Sequence, residues 1–139
     1  MWLQWLCAEQ LQEVNQAAAE YGVKLGIYGD LAVGVAGGSA DTWLNRQDYC
    51  MDVSVGAPPD PLGPTGQNWN LPPLNPSMLK HTGYEKFAHL LRENMRLYGV
   101  LRIDHVMALC RLWWVLNDKT ADFGAYVHYE AEVTFAILA

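Results

Sequence analysis

The sequence predicts an α/β fold on three observations: two long helical stretches, short β-rich runs between them, and an order of strand, loop, helix and strand along the chain. From Trp2 to Tyr21, the residues Leu3, Leu6, Ala8, Leu11, Val14, Ala18 and Tyr21 recur at three- and four-residue steps, and Gly22 is a natural stop. Val23 to Tyr28 is a short β-rich run ending at Gly29-Asp30, and the apolar run Leu31 to Val35 follows at once. A strand is expected here, broken or bulged near Gly29. Ala36 to Ala40 reads as a glycine-rich loop, with Asp41 capping a short helix through Trp43 and Leu44.

All seven prolines lie between Pro58 and Pro76, with Gly63 and Gly66 among them and Gly56 just before. Residues 56–76 are therefore expected to form a long irregular loop, and such loops inside compact chains are usually functional or disordered. Gln67, Trp69, Leu71 and Leu74 give this one something to pack with. A second helix is expected from Ser77 to Tyr98, with an interruption near Gly83. Leu79, Phe87, Leu90, Leu91, Met95 and Tyr98 form its apolar stripe, and Glu85, Lys86, Arg92, Glu93 and Arg96 are expected to face water. Gly99 ends it. Val100 to Ile103 then reads as a strand carrying Asp104 and His105 at its end, Leu112 to Leu116 as an apolar run, Ala125 to Tyr129 as a short strand, and Glu130 to Ala139 as the start of a helix. Two or three short parallel strands cannot close a sheet or cover both of its faces. The chain is thus expected to be part of something larger.

Composition narrows the chemistry. The chain has 139 residues, 51% of them hydrophobic, enough for a core and too few residues for most two-domain proteins. Its net charge of -6 argues against nucleic acid or an anionic membrane surface as partner, since both call for a basic face. Cys7, Cys50 and Cys110 are an odd, scattered set, which reads as reduced thiols in a cytoplasmic protein. Met1 to Gln10 has no basic n-region, so it is not expected to be a signal peptide, and no run of about 18 apolar residues occurs in the sequence. His81, His89, His105 and His128 lack the spacing of a metal site, and Gly34 to Gly38 lacks the Gly-Lys-Ser/Thr of a phosphate loop.

Arg102-Ile103-Asp104-His105 is the sharpest local signal. Side chains alternate along a strand, so Arg102 and Asp104 are expected on one side and Ile103 on the other. A carboxylate beside a guanidinium is held ionised and oriented, and in that state it can attack the anomeric carbon of a sugar. The same four residues also suit a structural Arg–Asp pair at a strand end. Trp69 suits either a sugar ring or plain packing, and Asp30 and Asp60 taken alone are ordinary turn residues.

Several motifs in order bear on that choice: Gly29-Asp30-Leu31-Ala32-Val33, Gly38-Ser39-Ala40-Asp41-Thr42-Trp43, Gly56-Ala57-Pro58-Pro59-Asp60, Gly66-Gln67-Asn68-Trp69 and Leu101-Arg102-Ile103-Asp104-His105-Val106-Met107. Arg111-Leu112-Trp113-Trp114 and Gly124-Ala125-Tyr126-Val127-His128-Tyr129 continue the series. Together they resemble the amylomaltase (disproportionating enzyme, 4-α-glucanotransferase) family, glycoside hydrolase family 77, and look closest to its enterobacterial maltodextrin-utilisation type. The resemblance runs from about Gln10 to Ala139.

The resemblance implies a (β/α)₈ TIM barrel, of which residues 1–139 would be the part around strands 3 and 4, a partial catalytic domain. It places Asp104 at the family's nucleophile, Arg102 at the arginine that steadies it, and His105 next in the motif. It places Asp30 at the aspartate after the third strand, and Asp60, Gln67 and Trp69 in a loop over the donor and acceptor sugars. The implied reaction is retaining transfer between α-1,4-glucans such as maltodextrins, with no metal or organic cofactor. Ala32 stands where a proline is common, and Pro61-Leu62 where some members have two aromatics. The family's acid/base glutamate, in a Gly-Glu-Asp-Leu-Gly-like motif, and its third carboxylate are expected beyond this chain, which makes independent activity improbable. A non-catalytic carbohydrate-binding module built on Trp69 and a purely structural fragment are the competing readings, and exposed barrel surfaces would favour self-association.

Overall fold

A computed structural model describes residues 2–139. In chain order these residues form α1 (Trp2–Glu20), β1 (Tyr28–Leu31), α2 (Ala40–Leu44), β2 (Val53–Ala57), β3 (Gln67–Leu71), α3 (Pro76–His81), α4 (Glu85–Leu97), β4 (Val100–Ile103), β5 (Arg111–Leu116), β6 (Ala125–His128) and α5 (Ala131–Leu138). The mixed α/β class agrees with the sequence reading. The chain divides into two compact units: residues through Ala32 with Phe87–Asp104, and Val33–Lys86 with His105–Ala139.

The first unit holds α1, a two-stranded parallel sheet of β1 and β4, and nearly all of α4. Helix α1 ends as expected at Gly22, whose φ of 76° an L side chain rarely adopts. The Gly22 N–H donates to the Ala19 carbonyl at 3.0 Å and the Val23 N–H to the Ala18 carbonyl at 2.9 Å, the paired bonds of a Schellman cap. Val23 is thereby committed to the cap, and the Gly26 N–H turns back to its carbonyl at 3.1 Å. The strand expected over Val23 to Tyr28 consequently begins only at Tyr28 and runs through Gly29 to Leu31. None of the α1 side chains is buried. Leu6, Ala8, Leu11 and Ala18 of the predicted stripe are half-buried, whereas Leu3, Val14 and Tyr21 are exposed.

The second unit is built on an antiparallel sheet in the order β3-β2-β5-β6, which the sequence reading did not foresee. That reading expected parallel strands throughout; only β1 and β4 pair in parallel. The physical reason is connection length. Residues 117–124 between β5 and β6 are too few for a crossover, so the strands fold back on each other. Val55 on β2 and Val115 on β5 are fully buried at the centre, joined by Leu79, Tyr84, Leu109, Leu112 and Ala121. The proline-rich segment is also more ordered than a loop. Its prolines fall into two groups, Pro58–Pro64 and Pro72–Pro76, leaving Thr65 to Leu71 between them with free N–H groups, of which the last five can pair as a strand. Those five, Gln67–Leu71, form β3. Gly56 permits the pairing: a Cβ there would lie 2.0 Å from the Gln67 carbonyl oxygen. A bridge from Tyr49 to Leu74 closes the segment's far end.

Two smaller expectations are corrected. The cap of α2 is Ser39, whose Oγ accepts from the Thr42 N–H at 3.3 Å, not Asp41. Asp41 is drawn away by partners: it accepts from Tyr49 Oη and from Asn45 Nδ2, each at 2.6 Å, and pairs with Lys86. Lys86 therefore does not face water; its side chain is 14% exposed. The helix expected over Ser77 to Tyr98 is interrupted near Gly83 as anticipated, falling into α3 and α4 where Gly83 and Tyr84 both take positive φ, and Leu79, Phe87 and Leu91 of its stripe are buried while Met95 is exposed. The three cysteines are unpaired, and burial, then the Asp52 charge, pushes the Cys50 thiol up.

Two outcomes follow from this packing. Gly56→Ala forces a backbone clash with β3 and is expected to cost about 1–3 kcal/mol, read from urea denaturation; an unchanged midpoint would contradict the close approach. Burial works to raise the Asp41 carboxyl, but hydrogen bonds from Lys86, Tyr49 and Asn45 outweigh it and hold the group below its ordinary value of 3.8. A lowered carboxylate contributes stability that is present above the unfolded value and lost as pH falls through the folded one. Urea midpoints measured down through pH 3.8 should therefore fall more steeply for the wild type than for Asp41→Asn.

Candidate active site

In the first unit the parallel register sets Asp30 opposite Arg102 and Leu31 opposite Ile103. Along β4, Val100 and Arg102 are exposed while Leu101 and Ile103 are half-buried, the alternation expected of a strand. The backbone N–H of Asp104 donates to the Leu31 carbonyl at 3.0 Å, which extends the pairing one residue past the strand. Arg102 Nε donates to Asp30 Oδ1 at 2.9 Å, and Nη2 reaches Asp30 Oδ2 at 2.9 Å. The same Nη2 donates to Asp104 Oδ1 at 3.1 Å. One guanidinium thus binds Asp30 with two parallel contacts and Asp104 with a third.

All three side chains are about half exposed: 53% for Asp30, 52% for Arg102 and 50% for Asp104. The hydrogen bond to Asp30, then the Asp30 charge and more weakly that of Asp104, raises Arg102 further above its already high range. The cluster carries two carboxylates on one cation, a net negative charge facing water. A carboxylate held this way is oriented yet accessible, which suits nucleophilic attack on an electrophilic carbon.

In the second unit the structure brings Gln67, Trp69 and His105 together. Trp69 Nε1 donates to Gln67 Oε1 at 2.9 Å, and the Trp69 ring meets the His105 ring edge to face, with centroids 5.2 Å apart and planes at 87°. His105 has φ 48° and ψ 58°, a left-handed conformation that costs a non-glycine residue roughly 1–2 kcal/mol. Asp60 has a different setting. Its Oδ1 accepts from the Leu62 N–H at 2.8 Å and the Gly63 N–H at 2.6 Å, so its carboxylate braces its own turn. His81, His89 and His128 are exposed. Among the described residues, no three His, Cys, Asp or Glu side chains gather as a metal site.

The sequence reading missed Ser54 and Asn68, whose side chains bond to each other. A signal for the first was present: Val53, Val55 and Ala57 alternate with Ser54 and Gly56 at the period of a strand. It missed the Asp41–Lys86–Tyr49 network too, since residues so far apart in sequence leave no local pattern.

Comparison with known proteins shows the family to which the chain belongs. Residues 1–139 match the family model described as 4-alpha-glucanotransferase, glycoside hydrolase family 77, and the chain belongs to that family. It is 58% identical over 138 residues to the 4-alpha-glucanotransferase of Haemophilus influenzae, covering 99% of this chain and 20% of that protein. The Mycobacterium tuberculosis 4-alpha-glucanotransferase is 39% identical over 99% of this chain and 19% of its own length. Among solved structures, amylomaltase from Corynebacterium glutamicum superposes with a TM-score of 0.89 at 40% identity, over 99% of this chain and 20% of that one. Amylomaltase from Streptococcus agalactiae in complex with acarbose shares the fold, with a TM-score of 0.85 at 24% identity over 94% of this chain and 28% of that one. The chain spans about a fifth of the length of the curated relatives it matches.

Half-exposed ion pairs add little to folding because water already solvates both charges well. Arg102→Ala is accordingly expected to leave the urea midpoint nearly unchanged. A large drop would mean that the cluster is a structural pair.

Proposed function

We propose that this chain supplies the nucleophile-bearing part of a 4-α-glucanotransferase, a fragment of a (β/α)₈ barrel in which β1 and β4 are the third and fourth strands. The observation that carries the reading is the Arg102 fork, which joins Asp30 and Asp104 at the ends of two parallel strands. Function in such barrels collects at the C-terminal ends of the strands and in the loops after them.

In the proposed reaction a carboxylate oxygen of Asp104 attacks the anomeric carbon of an α-1,4-glucan. The C–O bond to the leaving glucan breaks, and an acid delivers a proton to its 4-oxygen. The 4-hydroxyl of a second glucan, or of glucose, then attacks the same carbon as a base removes its proton, and Asp104 is released. Two inversions give net retention. Arg102 orients Asp104, and Asp30 in turn holds Arg102. Gln67, Trp69 and His105 contact the sugars, with Asp60 shaping the loop. None of the residues in these roles is the acid/base, so the isolated chain is expected to be inactive.

The chemistry as proposed uses no metal or organic cofactor. Its partners would be maltodextrins and related α-1,4-glucans, in the cytoplasm. No helix among the described residues is long and apolar enough to cross a membrane. Self-association through exposed apolar surface is part of the same proposal. On α1, Trp2, Leu3 and Trp5 are 66%, 65% and 58% exposed.

A chimera tests this reading: residues 2–139 replace the matching segment of the Haemophilus influenzae relative. It should convert maltotriose into glucose and longer maltodextrins, and Asp104→Asn should lower turnover by at least about 1,000-fold. Turnover surviving that substitution would sink the assignment of Asp104.

A further inference from the structure

The β2–β3 hairpin contains a break in register that no motif announces. Val55 pairs with Leu71, and the next residue, Gly56, pairs with Asn68. One step along β2 thus answers three along β3. Trp69 and Asn70 have no partner on β2 and are pushed out of the ladder as a bulge. Asn70 lies within that bulge at φ 56°, in the left-handed region. Trp69 is the residue the bulge presents toward His105, which is itself left-handed.

A distortion of this kind persists only where its surroundings determine it. Here one atom does so. Asn68 Oδ1 accepts from Ser54 Oγ at 2.6 Å and from the Asn70 N–H at 2.9 Å. Ser54 lies on the central strand β2 and is 2% exposed, so the donor is fixed by the core. The first bond anchors β3 to β2, and the second folds the bulge back upon its own preceding residue. Asn68 stands between Gln67 and Trp69 in sequence, and the two neighbours are tied to each other by the indole-to-amide bond of 2.9 Å.

We infer that Ser54 and Asn68 are positioning residues: their hydrogen bond locks the β3 bulge that presents Gln67 and Trp69 to the glucan beside His105. This rests on the reading that Gln67 and Trp69 contact sugar, and it adds the device that aims them. Ser54 and Asn68 act through the bulge without touching substrate. Losing the lock would weaken glucan binding in the ground state and in the transition state alike, which raises KM and leaves kcat in place.

The position of the ring is read first, in the 139-residue chain labelled with 5-fluorotryptophan, with the Trp69 fluorine signal assigned by Trp69→Phe. Ser54→Ala and Asn68→Ala should each shift or broaden that signal while those of Trp2, Trp5, Trp43, Trp113 and Trp114 stay in place. Asn68→Asp keeps an acceptor oxygen and should restore it. An unmoved Trp69 signal overturns the inference, and so does a collective shift of all six, which would report a loosened core. The same substitutions in the Haemophilus influenzae chimera should raise KM for maltotriose by about 5- to 10-fold, with kcat changed less than twofold. If Trp69→Phe and Trp69→Ala leave KM unchanged, the sugar-contact reading falls and the inference with it. If they raise KM but Ser54→Ala and Asn68→Ala do not, the inference alone falls.

Discussion

The parallel pairing of β1 with β4 is the constraint on which the candidate chemistry depends. Asp30 and Arg102 are 72 residues apart in sequence and meet only because Gly29 to Leu31 lies in register with Leu101 to Ile103. A shift of one residue would turn every side chain to the opposite face, breaking the fork and sending Arg102 inward. The closing bond from the Asp104 N–H to the Leu31 carbonyl carries the same register one step further, to the carboxylate itself. Geometry at the strand end is thereby set by backbone hydrogen bonds, and the side chains inherit it.

The charge arrangement follows from that geometry. A single cation serves two carboxylates, with the double contact given to Asp30 and the single one to Asp104. The unequal sharing makes Asp30 the holder of Arg102 and leaves Asp104 the more lightly engaged of the two. At half exposure, the pairs contribute orientation more than stability. The second unit solves a comparable problem without charge, using a buried hydroxyl, an amide oxygen and a bulge to aim an indole. Both devices place a surface group by tying it to a rigid strand.

The length of the matched relatives gives the exposed apolar surface a simple context. Helix α1 leaves Trp2, Leu3 and Trp5 open to water, and contiguous apolar surface is uncommon on a monomeric soluble protein. The chain covers about a fifth of each of the first relatives. Apolar faces of this kind suit burial against further protein.

Much was legible in the sequence because it is encoded locally. Periodicity and Gly22 located α1, alternation placed Arg102 and Asp104 on one side of a strand, and ordered motifs pointed to the glucanotransferase family. The parts that were not legible are those set by partners distant along the chain. Strand β3 was hidden because Asn68 and Asn70 have low strand propensity, and only the pairing of Gln67, Asn68 and Leu71 with β2 makes the segment a strand. Lys86 read as a solvent residue until Asp41, 45 positions away, gave it a partner. The antiparallel sheet could be recognised only once connection lengths and register were known together. The sequence by itself determined the chemical groups, the end of α1 and the fold class, because those follow from neighbours a few residues apart. Only the tertiary structure decided which carboxylates share Arg102 and where Trp69 points, because hydrogen bonds across a sheet depend on register that no single segment contains.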